Sequence, residues 1–129
     1  MDRYITWIIV GSVFAALAVI FGAFGAHGLK SKVSVEDLTI FETGVRYQMY
    51  HALGLILLGL LAMNPNLNIS PLPFIFFVIG IIIFSGTLYL ISLTGLRWLG
   101  AITPIGGFAL ILGWIFLIYN LQFSQNYSD

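Results

Sequence analysis

Gly22-Ala23-Phe24-Gly25-Ala26-His27-Gly28 and Phe41-Glu42-Thr43-Gly44-Val45-Arg46-Tyr47-Gln48-Met49-Tyr50-His51-Ala52-Leu53 frame the stretch that decides how this chain is built. Between Gly22 and Leu55 lie both histidines, the bases Lys30, Lys32 and Arg46, and the acids Glu36, Asp37 and Glu42. Outside that stretch the chain is nearly pure hydrocarbon. From Arg46 to Arg97 no Asp, Glu, Lys or Arg occurs, a run of about 50 residues, and two bilayer crossings need about 40.

Composition agrees with that reading. The 129 residues are 60% hydrophobic and 8% charged, with a mean hydropathy of +1.03. A soluble domain carries roughly 25% charged residues. Polar surface is too scarce to face water on all sides, so lipid is the expected solvent. The length suits one domain. The formal net charge is zero, which implies no nucleic-acid partner. The chain has no cysteine. That removes disulfides, a thiolate nucleophile and cysteine metal sites, and leaves the compartment open.

Working outward, four apolar runs predict spans over about 4–27, 44–63, 74–94 and 98–121. Short links between them imply an all-α fold, an antiparallel four-helix transmembrane bundle in one domain, 1–129. No run shows the alternation a membrane barrel needs. The first run has a secretory signal peptide as a rival reading, because Arg3 precedes it and small residues close it. It is too long for the usual h-region of about 7–15 residues, so a retained first helix is expected. Its small residues Gly11, Ala15, Ala18, Gly22 and Ala26 fall on one face. Such a face lets membrane helices approach closely.

Ser34, with Glu36 and Asp37 after it, reads as a helix start. A helix from there to Met63 is about 45 Å long and exceeds the hydrocarbon thickness of about 30 Å. Its first turns, about 34–44, should lie in the interface, with a bend expected at Gly44. The loop Asn64 to Pro73 is rich in Asn and Pro, which favour turns. The polar tail from Gln122 to Asp129 is expected to be mobile. The sequons Asn68-Ile69-Ser70 and Asn126-Tyr127-Ser128 are of a kind that arises by chance in Asn-rich segments. Basic residues divide as Arg3 against Lys30, Lys32, Arg46 and Arg97. The positive-inside rule then puts the Lys30/Arg97 rim in the cytoplasm.

Ionisable groups inside spans face the protein interior as a rule. Glu42 and Arg46 are one helical turn apart and suited to pairing. His51 lies deeper and can make a structural hydrogen bond, relay a proton or bind metal. His27 stands at the end of the first span. Two histidines without a third ligand make no metal site, and no cofactor is implied. Ser85, Tyr89 and Ser92 form one polar stripe. Pro104, after Thr103, cannot bond the Gly100 carbonyl and predicts a kink or break in the fourth span. Antiparallel threading places His27, Glu42, Arg46, Tyr47, Gln48, His51, Ser85, Tyr89, Ser92, Thr103 and Pro104 towards one rim. The expectation is a polar vestibule there and an apolar plug beyond it, with almost nothing polar in the opposite half.

Four blocks carry a resemblance: Gly22 to Gly28; Thr43 to His51; Phe84-Ser85-Gly86-Thr87-Leu88-Tyr89; and Thr103-Pro104-Ile105-Gly106-Gly107 with Gly113-Trp114. Together they resemble the small four-span family called domain of unknown function 423, or uncharacterised protein family 0382, related to transmembrane protein 256. The resemblance implies a multi-pass membrane protein and transfers no catalytic residue. Three functions stay open: a non-enzymatic cell-membrane protein binding lipid, itself or another membrane protein; a small solute or proton transporter; and an intramembrane enzyme. The first is the expectation. No nucleophile elbow or metal-ligand motif marks the third.

Overall fold

The computed structural model describes residues 2–128, with side chains placed through Gln125. Helix α1 spans Arg3–Phe24 and widens into a π turn at Gly25–Leu29. The N-cap Asp2 accepts from the amide of Tyr4 at 3.1 Å, and the Arg3 guanidinium lies over the rings of Tyr4 and Trp7. Helix α2, Val35–Ala62, begins at Ser34, whose hydroxyl accepts from the Asp37 amide at 3.1 Å. Its 28 residues make about 42 Å.

The third span is composite. Helix α3, Leu72–Gly80, passes through a π turn at Ile81–Ser85 into α4, Gly86–Thr94. Helix α4 stops at Gly95, whose φ of 74° is open to glycine and whose amide bonds the Ile91 carbonyl at 2.8 Å. A 3-10 turn at Arg97–Ala101 leads to α5, Thr103–Ser128. The four helical units 3–29, 35–62, 72–94 and 97–125 are each long and apolar enough to cross a bilayer.

The packed pairs are α1 with α2, α2 with the third span, and the third span with α5. Helices α1 and α5 form no such pair. Trp7 of α1 stacks on Phe74 of α3 at 5.1 Å between centroids, and Phe21 meets Tyr89 edge-on at 5.3 Å. Trp114 of α5 reaches His51 of α2. The cross-section is therefore a rhombus. Helix α2 and the third span form its short diagonal, and α1 and α5 flank them. The shared core holds Trp7, Leu55, Leu58, Phe77, Leu110 and Leu117.

Glycines set the close approaches, because packing rather than water exclusion joins helices in lipid. A Cβ on Gly11 would come within 2.7 Å of the Ala52 carbonyl oxygen, and one on Gly59 within 2.8 Å of the Tyr4 carbonyl oxygen. Gly22 faces Val45, and Ala18 is buried, whereas Ala26 is exposed. The face from Gly11 to Gly22 therefore packs within the chain, on α2.

Two sequence expectations change here. Helix α2 runs through Gly44 as unbroken α-helix. A Cβ on Gly44 would come within 2.8 Å of the Tyr89 ring, so this glycine admits a neighbour rather than bending the helix. Pro104 breaks no helix. It stands in the first turn of α5, where amides lack an intrahelical acceptor in any case. The tail is helical as far as Ser128, and Asp129 lies outside the described residues.

Candidate functional site

The polar residues sort into four places. On the α1 side, Gln48 is buried and donates from Nε2 to the Phe14 carbonyl at 2.8 Å. Its Oε1 accepts from the Tyr89 hydroxyl at 2.6 Å. Ser85 donates to the Gly44 carbonyl at 2.6 Å, and Ser92 to the Tyr89 carbonyl at 2.9 Å. One amide side chain thus joins α1, α2 and α4.

On the α5 side, the indole N–H of Trp114 donates to His51 Nε2 at 3.0 Å. An indole only donates, so Nε2 accepts and the ring proton sits on Nδ1. Nδ1 lies 2.8 Å from the Tyr47 carbonyl and donates to it. Both imidazole nitrogens are committed to structural bonds. Thr103 and Thr87 share a hydroxyl contact of 2.7 Å, and Thr87 also donates to the Ile83 carbonyl at 2.7 Å.

At the charged rim, Arg46 and Glu42 lie 3.7 Å apart on an exposed face, which makes a weak pair. His27 is exposed in the π turn after α1. Arg97 pairs with Asp37 at 2.7 Å. This tie between the fourth span and the start of α2 had no signal in sequence spacing.

The fourth place corrects the expectation of an apolar far half. Asn120 and Ser124 of α5 are buried there. Asn120 Oδ1 accepts from the Ser70 amide at 2.9 Å and its hydroxyl at 3.0 Å. Ser124 accepts from the Asn68 amide at 2.8 Å and donates to the Asn120 carbonyl at 2.8 Å. Loop backbone near lipid must find partners inside the protein, and α5 supplies them. The sequon at Asn68 is part of this latch. The side chains of the sequon at Asn126 lie outside the described residues.

Of the residues expected in the vestibule, three share one groove. Tyr47, His51 and Pro104 line a groove between α2 and α5 on the flank of the bundle, with Phe84, Gly107 and Trp114. Its volume is about 540 Å³. Phe108 and Ile111, also in its lining, are 62% and 56% exposed, so the groove faces the bilayer. A smaller groove of about 320 Å³, walled by Phe21, Phe24, Phe41 and Tyr89, lies between α1 and α4.

Two neighbouring glycines differ in what they allow. A Cβ on Gly106 would collide with the backbone nitrogen of Phe84. A Cβ on Gly107 would lie 3.5 Å from the Phe84 ring, an ordinary contact. Packing requires the first glycine. The missing side chain of the second keeps the groove open.

Comparison with known proteins settles the family. The family described as "Protein of unknown function (DUF423)" matches residues 21–107. The chain belongs to DUF423.

Curated relatives of this DUF423 chain are UPF0382 membrane proteins. That of Staphylococcus saprophyticus is 46% identical over 112 residues, 87% of this chain and 92% of the relative. That of Staphylococcus epidermidis strain RP62A is 47% identical over 112 residues, covering 87% and 91%. YwdK of Bacillus subtilis is 46% identical over 114 residues, covering 87% and 92%. No solved structure matches the chain. The DUF423 chain is thus an all-helical integral membrane protein. Among its described residues no cluster of three His, Cys, Asp or Glu could hold a metal. Sequence reasoning missed Trp114 as the partner of His51. An indole N–H within a span needs an acceptor, and an imidazole on a neighbouring helix was the available one.

Proposed function

We propose that this protein is a non-enzymatic binding protein of the cell membrane, and that its flank groove receives an amphiphile dissolved in the bilayer. The observation that carries this is the open groove above Gly107, a preformed recess that no packing demand explains. Its volume falls within the range of about 300–1,000 Å³ typical of small-molecule sites.

The state of the polar groups supports binding over catalysis. The Ser85, Ser92 and Tyr89 hydroxyls and both His51 nitrogens already hold structural hydrogen bonds. A nucleophile needs a base within hydrogen-bond reach, and the bonds of these hydroxyls go to the Gly44 carbonyl, to Gln48 and to the Tyr89 carbonyl rather than to His51.

Native mass measurement after mild detergent extraction tests the proposal. The expected spectrum shows the chain with a bound small molecule, and Gly107→Leu, which fills the recess, loses it. Bare masses for both chains would reject the proposal.

A further inference from the structure

Resting on that reading, we infer that the ligand carries a flat, oxygen-bearing ring on an apolar tail, the class of quinoid and phenolic amphiphiles, and is not an ordinary phospholipid. In a bilayer an acyl chain gains no hydrophobic energy by leaving other chains for an apolar groove. A ligand that prefers the groove must find there what lipid lacks.

The groove offers two such things. Its walls are rings. Tyr47 and Phe84 lie 4.8 Å apart at 49°, and His51 and Trp114 lie 5.8 Å apart at 61°. Tilted rings present both faces and edges, which favour a further ring over a flexible chain. The second thing is a donor. The Tyr47 hydroxyl has no hydrogen-bond partner among the described residues. A phenol at the edge of hydrocarbon seeks an acceptor, and a ring carbonyl or ether oxygen provides one. The Trp114 N–H is already held by His51, so Tyr47 is the anchor. Tyr47 adjoins Arg46 near the charged rim, whereas Trp114 lies deeper, so the polar ring sits rimward and the tail runs inward. The smaller groove is the contrast: its one hydroxyl, on Tyr89, is held by Gln48.

The test uses tryptophan fluorescence in detergent micelles, in a Trp98→Phe background that removes an indole 64% exposed at the rim. Two probes are titrated, a decyl-substituted benzoquinone and a phosphatidylglycerol brominated on its acyl chains. Saturable quenching by the quinone is expected, with half-saturation raised about fivefold by Tyr47→Phe, the scale of one lost hydrogen bond. Gly107→Leu should abolish saturation. Phe108→Ala should weaken it, and being exposed it leaves the core intact should Gly107→Leu not fold. Saturable quenching by the brominated lipid alone would overturn the ring class and leave the groove as a binding site. No saturation with either probe would overturn both. Saturation by the quinone that ignores Tyr47→Phe would overturn the anchor, and with it the assigned class.

Discussion

Gly106 and Gly107 are adjacent and chemically identical, yet the structure uses them for opposite ends. Gly106→Ala drives a methyl onto the Phe84 backbone, which cannot yield as a side chain can. The expected loss is about 2–3 kcal/mol, read as a lower midpoint in detergent unfolding. Gly107→Ala meets ordinary contact and should leave that midpoint within about 0.5 kcal/mol of wild type. Gln48 gives a second prediction at this scale. Gln48→Leu removes the acceptor of the Tyr89 hydroxyl and the donor to Phe14. A cost of about 1 kcal/mol is expected, and Tyr89→Phe added to it should cost little more, because the hydroxyl has already lost its partner. A double-mutant cycle reads this directly. In sequence the stripe Ser85, Tyr89, Ser92 was visible from its spacing. The partner of Tyr89 was not, since the side of α2 that Gln48 occupies depends on how α1 docks.

At the scale of elements, the third span departs most from its sequence. A plain apolar run predicted a plain helix. The structure inserts a π turn at Ile81–Ser85, where the Gly106 face of α5 presses on Phe84 and Ser85 turns to the Gly44 carbonyl. A π turn adds one residue to a turn and rotates the helix beyond it, so α3 and α4 each present their own inner face. No periodicity in an all-apolar segment could signal that. The loop between α2 and α3 is held by side chains fifty residues away. Asn120→Ala together with Ser124→Ala should release it, and amide hydrogen exchange at Asn68 and Ser70 should accelerate at least tenfold while α2 keeps its protection. Unchanged exchange there would mean the latch does not hold the loop.

For the molecule as a whole, the rhombic arrangement makes α2 the axis. It touches the other three spans, and one turn of it carries both Gln48, bonded to α1, and His51, bonded to α5. Four crossings place both termini and the 64–73 loop on one side and the 30–34 and 95–97 links on the other. The native chain lacks cysteine, so single replacements report cleanly. In sealed vesicles an impermeant maleimide should label Asn66→Cys and Ser31→Cys from opposite faces. Labelling of both from one face would contradict four crossings. The Asp37–Arg97 pair closes the charged rim, with the arginine half exposed and the aspartate largely buried.

Composition alone determined the solvent of this chain, and run length determined the number of crossings. Both hold because the cost of placing charge in hydrocarbon is large and local. The choice of neighbours was left to tertiary structure. In lipid the outward and inward faces are equally apolar, so no pattern of hydrophobicity says which side of a helix is covered. That is why Trp114 against His51, Asp37 against Arg97, the latch on Asn68 and Ser70, and the recess above Gly107 became visible only with the helices in place.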